Sequence, residues 1–158
     1  MYITIDNMPN IAVNKTLKRD YQVMDTLEAG IKLTGAEVKS VKLGQIQLKG
    51  SYISIDRNNQ IWLINCHISY YKPSGPRNAN YNPTRSRILL MHRKEIDSLV
   101  GKIHQPGLTI LPLSVYTKGN LIKLEIAIVR GKKKFDKREE MKNREIEKEI
   151  RRNIRGKY

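Results

Sequence analysis

The sequence has a single cysteine, Cys66, among its 158 residues. One cysteine cannot form a disulfide within the chain, and this scarcity is typical of proteins from a reducing compartment. The chain also lacks any run of about 18 apolar residues, which excludes a transmembrane helix. Residues 1–10 contain an acidic residue and no basic segment followed by an apolar run, so they do not predict a secretory signal. We therefore expect a cytoplasmic protein that makes no contact with membranes.

The motifs of common catalytic and cofactor-binding sites are also missing. No phosphate-binding loop, dinucleotide fingerprint or zinc-protease motif occurs. The three histidines lie in unrelated segments without the spacing of metal ligands, and Cys66 lies among apolar residues typical of a core position. These absences favour a protein without catalytic activity, cofactor or metal. A metal-dependent nuclease built from scattered carboxylates is the alternative that the sequence leaves open.

Acidic residues are scarce relative to basic ones. There are 30 Lys and Arg against 15 Asp and Glu, which gives a net charge of +15 and a pI of about 10.0. Residues 131–158 hold 12 basic and 6 acidic residues, so the excess of +9 on residues 1–130 lies outside this tail. Such a charge favours a polyanionic partner, above all a nucleic acid. An anionic membrane surface is the weaker alternative, because the tail has few of the aromatic and leucine residues of membrane-binding helices.

Alternating apolar residues and turn-forming residues predict a mainly β fold with short helices. The predicted strands are residues 21–29, 51–56, 61–64, 108–117 and 121–129, and the predicted helices are residues 36–43 and 87–100. The first strand is expected to contain a bend, and Gly30 to end it. Gly44 and Gly101 are expected to end the two helices. Most connections have hairpin length, so we expect a closed antiparallel barrel of the oligonucleotide-binding (OB) type, in which closure protects the sheet edges.

The chain is expected to divide into three segments. Residues 1–13 form a flexible lead, residues 14–130 form the OB-like barrel and residues 131–158 form a basic tail. The tail has too few large apolar residues to fold alone. Its isoleucines recur every four residues, which predicts a tail that is disordered when free and helical when a partner holds it. A helix docked on the barrel is the alternative.

Four segments resemble motifs of one known family, the SsrA-binding proteins (small protein B). Residues 30–42, GIKLTGAEVKSVK, are similar to the family signature G-x-x-L-x-G-x-E-V-K-S-L-R. Residues 14–21 are similar to its N-terminal motif, and residues 83–90 to its P-x-R-x-R-K-L-L-L segment. Residues 131–138 match its tail motif, G-K-K-x-x-D-K-R. The four segments occur in the order of the family, with compatible spacing.

The resemblance implies an OB-like barrel that binds RNA without catalysis. Members bind the tRNA-like domain of transfer-messenger RNA (tmRNA) and bring it, aminoacylated and with elongation factor Tu, to ribosomes stalled on messages without a stop codon. Their tail enters the empty messenger channel as a helix. We therefore expect a monomer whose partners are tmRNA, the stalled ribosome with its ribosomal RNA and, indirectly, elongation factor Tu. A general ribosomal RNA-binding or RNA-chaperone protein without tmRNA specificity is the alternative.

The resemblance also implies two sets of RNA-contacting residues. The tmRNA-binding face would comprise Asn14, Lys15, Lys18, Arg19, Tyr21, Glu37, Val38, Lys39 and Lys42. The ribosome-binding tail would comprise Gly131, Lys132, Lys133, Lys134, Phe135, Asp136, Lys137 and Arg138. Glu37 is expected to accept a hydrogen bond from a base or ribose, and an ion pair with Lys39 or Arg19 is the alternative. Phe135 is expected to stack on a base, and Asp136 to orient a cation or cap the tail helix.

Four positions depart from the family pattern. Arg19 replaces the usual histidine, which keeps charge and stacking but loses neutral hydrogen bonding. Asn82 and Ile88 replace an acidic and a basic residue, so contacts through those positions are not expected to transfer. Phe135 stands where many members carry His or Tyr, which keeps the aromatic plane but loses its polar atom.

Overall fold

The computed structural model describes residues 10–75, 80–132 and 134–156. The strands are β1 (Asn10–Val13), β2 (Tyr21–Ile31), β3 (Ile46–Gln47), β4 (Tyr52–Ile55), β5 (Ile61–Ile64), β6 (His67–Ile68), β7 (Arg87–Leu90), β8 (Leu108–Lys118) and β9 (Leu121–Gly131). The helices are α1 (Lys15–Asp20), α2 (Gly35–Lys42), α3 (Arg93–Ile103) and α4 (Lys134–Arg155). Seven strands form an antiparallel sheet in the order β1-β8-β9-β2-β7-β5-β4, while β3 and β6 pair separately. The predicted mainly β fold with helices is confirmed.

The main core lies on one face of the long strands β2, β8 and β9. Val115 of β8 and Leu124 of β9 are fully buried there. Burial extends to both faces of β9, because Ile128 faces the main core while Val129 packs with Leu17 of α1 in a second apolar cluster. Helix α1 therefore covers the outer face of this part of the sheet.

Hydrogen bonding leaves β1 and β4 as the two edges of the seven-stranded order, as far as the structure describes the chain. Strand β4 also packs against β8, so the sheet curves around its core. The curvature agrees with a barrel. The antiparallel sheet is thus confirmed, whereas its closure into an OB-type barrel stays a prediction.

Both predicted hairpins are confirmed. β4 pairs with β5 and β8 pairs with β9, each in antiparallel register. Their turns contain Asn59 with φ 59° and Gly119 with φ 62°, the left-handed conformation that these residue types tolerate. Helix α2 ends before Gly44, whose φ is 79°. The predicted bend in β2 is a register shift against β9 between Val23 and Asp25, where an extra residue bends the strand.

The prediction of one helix over residues 87–100 is wrong. The first four of these residues form β7, in which Leu89 is buried and Leu90 is 57% exposed. These residues alternate between inside and outside because successive side chains of a strand face opposite sides of the sheet, in which β7 pairs with β2 and β5. Helix α3 begins only after His92, which is its N-cap. The predicted end at Gly101 is also wrong, because α3 continues through this exposed glycine for two more residues.

Other predicted boundaries need correction at the N-terminal side. Residues 10–13 of the predicted flexible lead form β1, which pairs with β8, and residues 1–9 lie outside the described residues. Residues 14–19, for which no element was predicted, contain most of α1 and its N-cap Asn14. A six-residue helix is too short to show a clear 3.6-residue period. Gly30 lies within β2 rather than ending it.

Most of the tail, from Lys134 to Arg155, forms helix α4. Its apolar residues are each more than half exposed: Met141, Ile146, Ile150 and Ile154. That the tail is disordered when free and helical when a partner holds it stays a prediction, as does the alternative of a helix docked on the barrel. Glu147 and Arg151 lie four residues apart with the acid first, the orientation that supports an isolated helix. None of α1 to α4, over the residues described, has the apolar length needed to cross a bilayer.

Candidate nucleic-acid interface

The residues predicted to form one RNA face lie in two groups at opposite ends of β2. Helix α1 precedes β2 and α2 follows it. The strand has 11 residues, and at about 3.3 Å per residue its length is roughly 35 Å. The predicted tmRNA-binding face therefore spans both ends of this strand, and its role in RNA binding stays a prediction. We call residues 14–21 with 130–132 the α1 end, and residues 32–42 with 85–87 the α2 end.

Asn14 is a buried residue that supports the α1 end. It is 5% exposed, and its Oδ1 accepts hydrogen bonds from the Leu17 backbone N–H at 3.3 Å and the Thr16 hydroxyl at 2.7 Å. Its Nδ2 donates to the Pro112 carbonyl oxygen at 3.0 Å. All of these contacts are internal, so Asn14 positions α1 and does not face a partner.

The cations of α1 face solvent. Lys15, Lys18 and Arg19 are exposed, and Arg19 Nε lies 3.1 Å from a carboxylate oxygen of Asp20. Tyr21 is partly buried against the apolar cluster beneath the helix. The three cations are therefore accessible to a polyanion, whereas Tyr21 supports the helix that holds them.

The tail begins on the α1 end. The backbone N–H of Lys132 donates to the Asp20 carbonyl oxygen at 3.0 Å, and its Nζ donates to the Lys18 carbonyl oxygen at 3.2 Å. Tyr21 is the register partner of Gly131. Lys132, the first cation of the tail, thus lies beside the α1 cations, a proximity that their separation in sequence hides.

Glu37 is the centre of the α2 end. It is 1% exposed and completes a capping box, in which its Oε1 accepts from the Thr34 backbone N–H at 3.1 Å. Oε1 also pairs with Arg85, which is 36% exposed. Oε2 accepts from Arg87 Nε at 2.7 Å and lies 2.6 Å from its Nη2. One carboxylate therefore joins α2 to the segment that enters β7.

Arg87 is the largest fully buried side chain described, with 0% exposure. Besides Glu37, its guanidinium donates to the carbonyl oxygens of Cys66 at 2.7 Å, Pro83 at 3.0 Å and Arg85 at 3.1 Å. These acceptors satisfy the donors of a charge that would otherwise be costly to bury. Arg87 thus fixes the loop before β7 as well as α2.

The buried carboxylate of Glu37 stays ionised. Burial alone would raise its pKa, but hydrogen bonds from Arg85, Thr34 and Arg87 together lower the pKa below its ordinary value. Direct contact of Glu37 with RNA, which was predicted, does not fit a side chain buried in this way. Glu37 does form ion pairs, but its partners are Arg85 and Arg87 and not Lys39 or Arg19, which the alternative named.

The exposed cations of α2 lie around this buried cluster. Lys39 and Lys42 are exposed, and Lys39 Nζ lies 5.6 Å from the centre of the Tyr71 ring. Val38 is partly buried against the main core, so it anchors α2 and presents little surface to a partner. The lysines of α2, together with Lys32 and the partly exposed Arg85, are the groups that can meet phosphates.

A cleft that the sequence did not predict lies near the α2 end. Its volume is about 340 Å³, and it is lined by Glu28, Gly30, Leu90, Met91, His92, Glu95 and Lys123. Leu90 is 57% exposed at its rim. An exposed apolar side chain suits contact with a ribose or base, although the carboxylates of Glu28 and Glu95 outnumber Lys123 in the lining and disfavour a phosphate inside the cleft. The sequence did not indicate this cleft because its pattern predicts a helix at residue 90, where the structure has a strand.

The predicted tail residues are only partly described. Gly131 and Arg138 are exposed. Lys133 lies outside the described residues, and the side chains of residues 134–137 are likewise not described. The predicted roles of Phe135 and Asp136 therefore stay predictions.

Cys66 is fully buried, as its interpretation as a core residue required. Burial raises the pKa of its thiol to about 11, so the thiol stays protonated at neutral pH and is a poor nucleophile. Within the described ranges, no three His, Cys, Asp or Glu side chains are grouped to hold a metal ion.

An antiparallel sheet with cations at both ends of β2 and a long basic helix is typical of basic nucleic-acid-binding proteins. The profile of the SmpB protein family matches residues 11–156, and the chain belongs to this family. The family consists of RNA-binding trans-translation factors, not enzymes.

Individual relatives support the assignment over nearly the whole chain. The SsrA-binding protein of Sulfurihydrogenibium sp. is 46% identical over 147 residues, which cover 93% of this chain and 95% of the relative. That of Carboxydothermus hydrogenoformans is 46% identical over 148 residues, covering 94% and 97%. A solved chain described as "tmRNA-SmpB: a journey to the center of the bacterial ribosome" is similar with a TM-score of 0.64 and 36% identity, covering 78% of this chain and 85% of that one.

Proposed function

We propose that the protein binds tmRNA with its α2 end and delivers it to stalled ribosomes, where its α1 end and tail contact the ribosome. The single observation that supports this most is the separation of two cationic surfaces along the length of β2. A protein that joins two large RNA partners needs surfaces that both can occupy at once. Family membership supplies the identity of the partners, because the relatives are SsrA-binding proteins and the similar structure is of tmRNA with SmpB.

At the α2 end, rigidity supports recognition of a folded RNA. The buried pairs of Glu37 with Arg85 and Arg87 fix the position of α2. Lys39 and Lys42 then hold a defined spacing for phosphates, while Leu90 in the neighbouring cleft offers an apolar contact. Proteins recognise folded RNA largely by its shape and by exposed bases, which suits cations on a fixed helix.

At the α1 end, the geometry supports a ribosomal contact. Helix α4 has 22 residues, so at about 1.5 Å per residue it extends about 33 Å. It starts beside the exposed cations of α1, because Lys132 is hydrogen-bonded to that helix. We assign Lys15, Lys18 and Arg19 to ribosomal RNA, together with the tail from Gly131 to Arg138, and place the tail in the empty messenger channel.

The proposal includes three further expectations. Elongation factor Tu joins only through the aminoacylated tmRNA, and the protein acts as a monomer in the cytoplasm. The sheet closes into an OB-type barrel, for which the packing of β4 against β8 is the support.

A competition experiment tests the proposal against a general RNA-binding protein. The full chain is bound to the labelled tRNA-like domain of tmRNA at moderate ionic strength, and excess bulk tRNA is added. We expect the complex to persist, because shape-specific contacts add to the salt-dependent attraction of any RNA. Equal displacement by bulk tRNA would indicate a ribosomal or chaperone protein without tmRNA specificity.

A further inference from the structure

The only tryptophan of the chain lines a cavity on the outer face of the sheet. Trp62 lies on β5 between Ile61 and Leu63, which are fully buried in the core. Because successive residues of a strand face opposite sides, the indole lies on the outer face. The cavity has a volume of about 280 Å³ and is lined by Lys32, Leu33, Thr34, Trp62, Arg85, Ser86 and Ile88.

The indole is held in place before any ligand binds. Its Nε1 donates to Asp56 Oδ2 at 3.0 Å. The other oxygen of Asp56 accepts from the backbone N–H groups of Asn58 and Gln60, each at 2.9 Å. The carboxylate is thus locked in the turn between β4 and β5, and it fixes the edge of the ring. A preorganised aromatic plane loses little conformational entropy when a ligand stacks on it.

The charge of the cavity favours an anion. Lys32 and Arg85 are the charged residues among its lining, and no acidic residue lines it. Arg85 lines the cavity and is 36% exposed although one of its nitrogens pairs with Glu37. Asp56 contacts the indole only at its Nε1 edge and is not among the residues that line the cavity. A flat aromatic surface beside two cations matches a nucleotide, whose base stacks while its phosphate is neutralised.

We propose that this cavity binds one unpaired nucleotide of an RNA partner, with the base stacked on Trp62 and the phosphate held by Lys32 and Arg85. The inference rests on the proposed function in that the ligand is RNA. It adds a stacking site that lies apart from the lysines of α2 and from the cleft at Leu90. Since every base has a flat face, the site accepts any base. An acidic peptide would satisfy the two cations but would leave the indole without a stacking partner.

The emission of the single tryptophan reports directly on this site. The full chain is titrated with a short unstructured oligoadenylate and, separately, with the tRNA-like domain of tmRNA. We expect both to quench the emission, and the second to do so over the same concentrations at which a gel shift detects the complex. Complex formation with unchanged emission would overturn the proposal, and so would quenching by polyglutamate but not by oligoadenylate.

Variants separate stacking from charge. Trp62→Leu should weaken oligoadenylate binding by about fivefold or more, whereas Trp62→Phe keeps an aromatic plane and most of the affinity. Lys32→Ala should weaken quenching of the native tryptophan, while Lys49→Ala, an exposed lysine that does not line the cavity, should leave it within about twofold. Equal affinity of the Leu, Phe and native chains would contradict the assignment. Intact quenching without any preference for tmRNA over bulk tRNA would refute only the proposed function.

Discussion

The α1 end and the α2 end present similar cations on differently built supports. At the α2 end, a buried carboxylate is clamped by two arginines, and one of these holds three further carbonyl oxygens. At the α1 end, Asn14 forms neutral hydrogen bonds and a small apolar cluster lies beneath the helix. Breaking an ionic cluster leaves a charge unpaired in the core, whereas breaking a neutral cap does not. The α2 end should therefore be the more rigid and the more sensitive to substitution.

The largest effect is expected from Arg87→Met. This change leaves the carboxylate of Glu37 buried with only partial compensation from Arg85, so the free energy of unfolding should fall by about 3–5 kcal/mol. Urea denaturation followed by circular dichroism measures it. Arg85→Ala is the matched control, because Arg85 is partly exposed and water can replace it. A loss below about 1 kcal/mol for Arg87→Met would show that the buried cluster does not hold the α2 end.

A smaller effect is expected from Asn14→Ala at the other end. The N-cap of α1 and the hydrogen bond to Pro112 are both lost, which should lower the free energy of unfolding by about 0.5–2 kcal/mol. Asn14→Asp keeps the cap acceptor but turns a carboxylate oxygen toward the Pro112 carbonyl oxygen, so it should not recover the stability of the native chain. If the alanine variant were destabilised as much as Arg87→Met, the contrast between neutral and ionic supports would be lost.

Low pH should destabilise the α2 end more than the α1 end. The pKa of Glu37 is lowered by folding from its ordinary value of 4.5. Its contribution to stability is therefore fully present above that value and is lost as the pH falls through the folded pKa. Urea midpoints of the native chain should drop more steeply below pH 4.5 than those of Glu37→Gln. Parallel curves for the two chains would mean that other carboxylates cause the acid sensitivity.

The smallest effect on stability is expected from Arg19→Ala. Its ion pair with Asp20 is exposed, and such pairs contribute little. The midpoint of urea unfolding should be unchanged, while tagging of stalled ribosomes should be reduced because a ribosomal contact is removed. A destabilised chain would place Arg19 among the supports of α1 rather than among its accessible cations.

Local patterns predicted much of the fold. The alternation along residues 108–129 was sufficient for the β8–β9 hairpin, and Gly44 marked the end of α2. The error at residues 87–100 has a physical cause, because adjacent leucines fit a helix as well as a strand buried on one face. Helix α1 was missed because its main signal is a single capping residue, Asn14.

The site was harder to predict than the fold. Glu37 and Arg87 are 50 residues apart in the sequence, and no local pattern joins them. The two halves of the predicted RNA face are separated by the full length of β2, which becomes apparent only when the strand continues through Gly30. The resemblance to the SsrA-binding proteins identified the family correctly but not which residues face outward.

Replacing each set of cations with alanine in turn tests the central claim most directly. The variants are Lys39→Ala with Lys42→Ala at the α2 end, and Lys15→Ala with Lys18→Ala at the α1 end. Each full-length chain is measured for affinity to the tRNA-like domain of tmRNA and for peptide tagging on stalled ribosomes. We expect the α2 variant to lose tmRNA affinity, and the α1 variant to keep that affinity but lose tagging. An equal loss of tmRNA affinity in both variants would contradict the division of the two ends between two RNA partners.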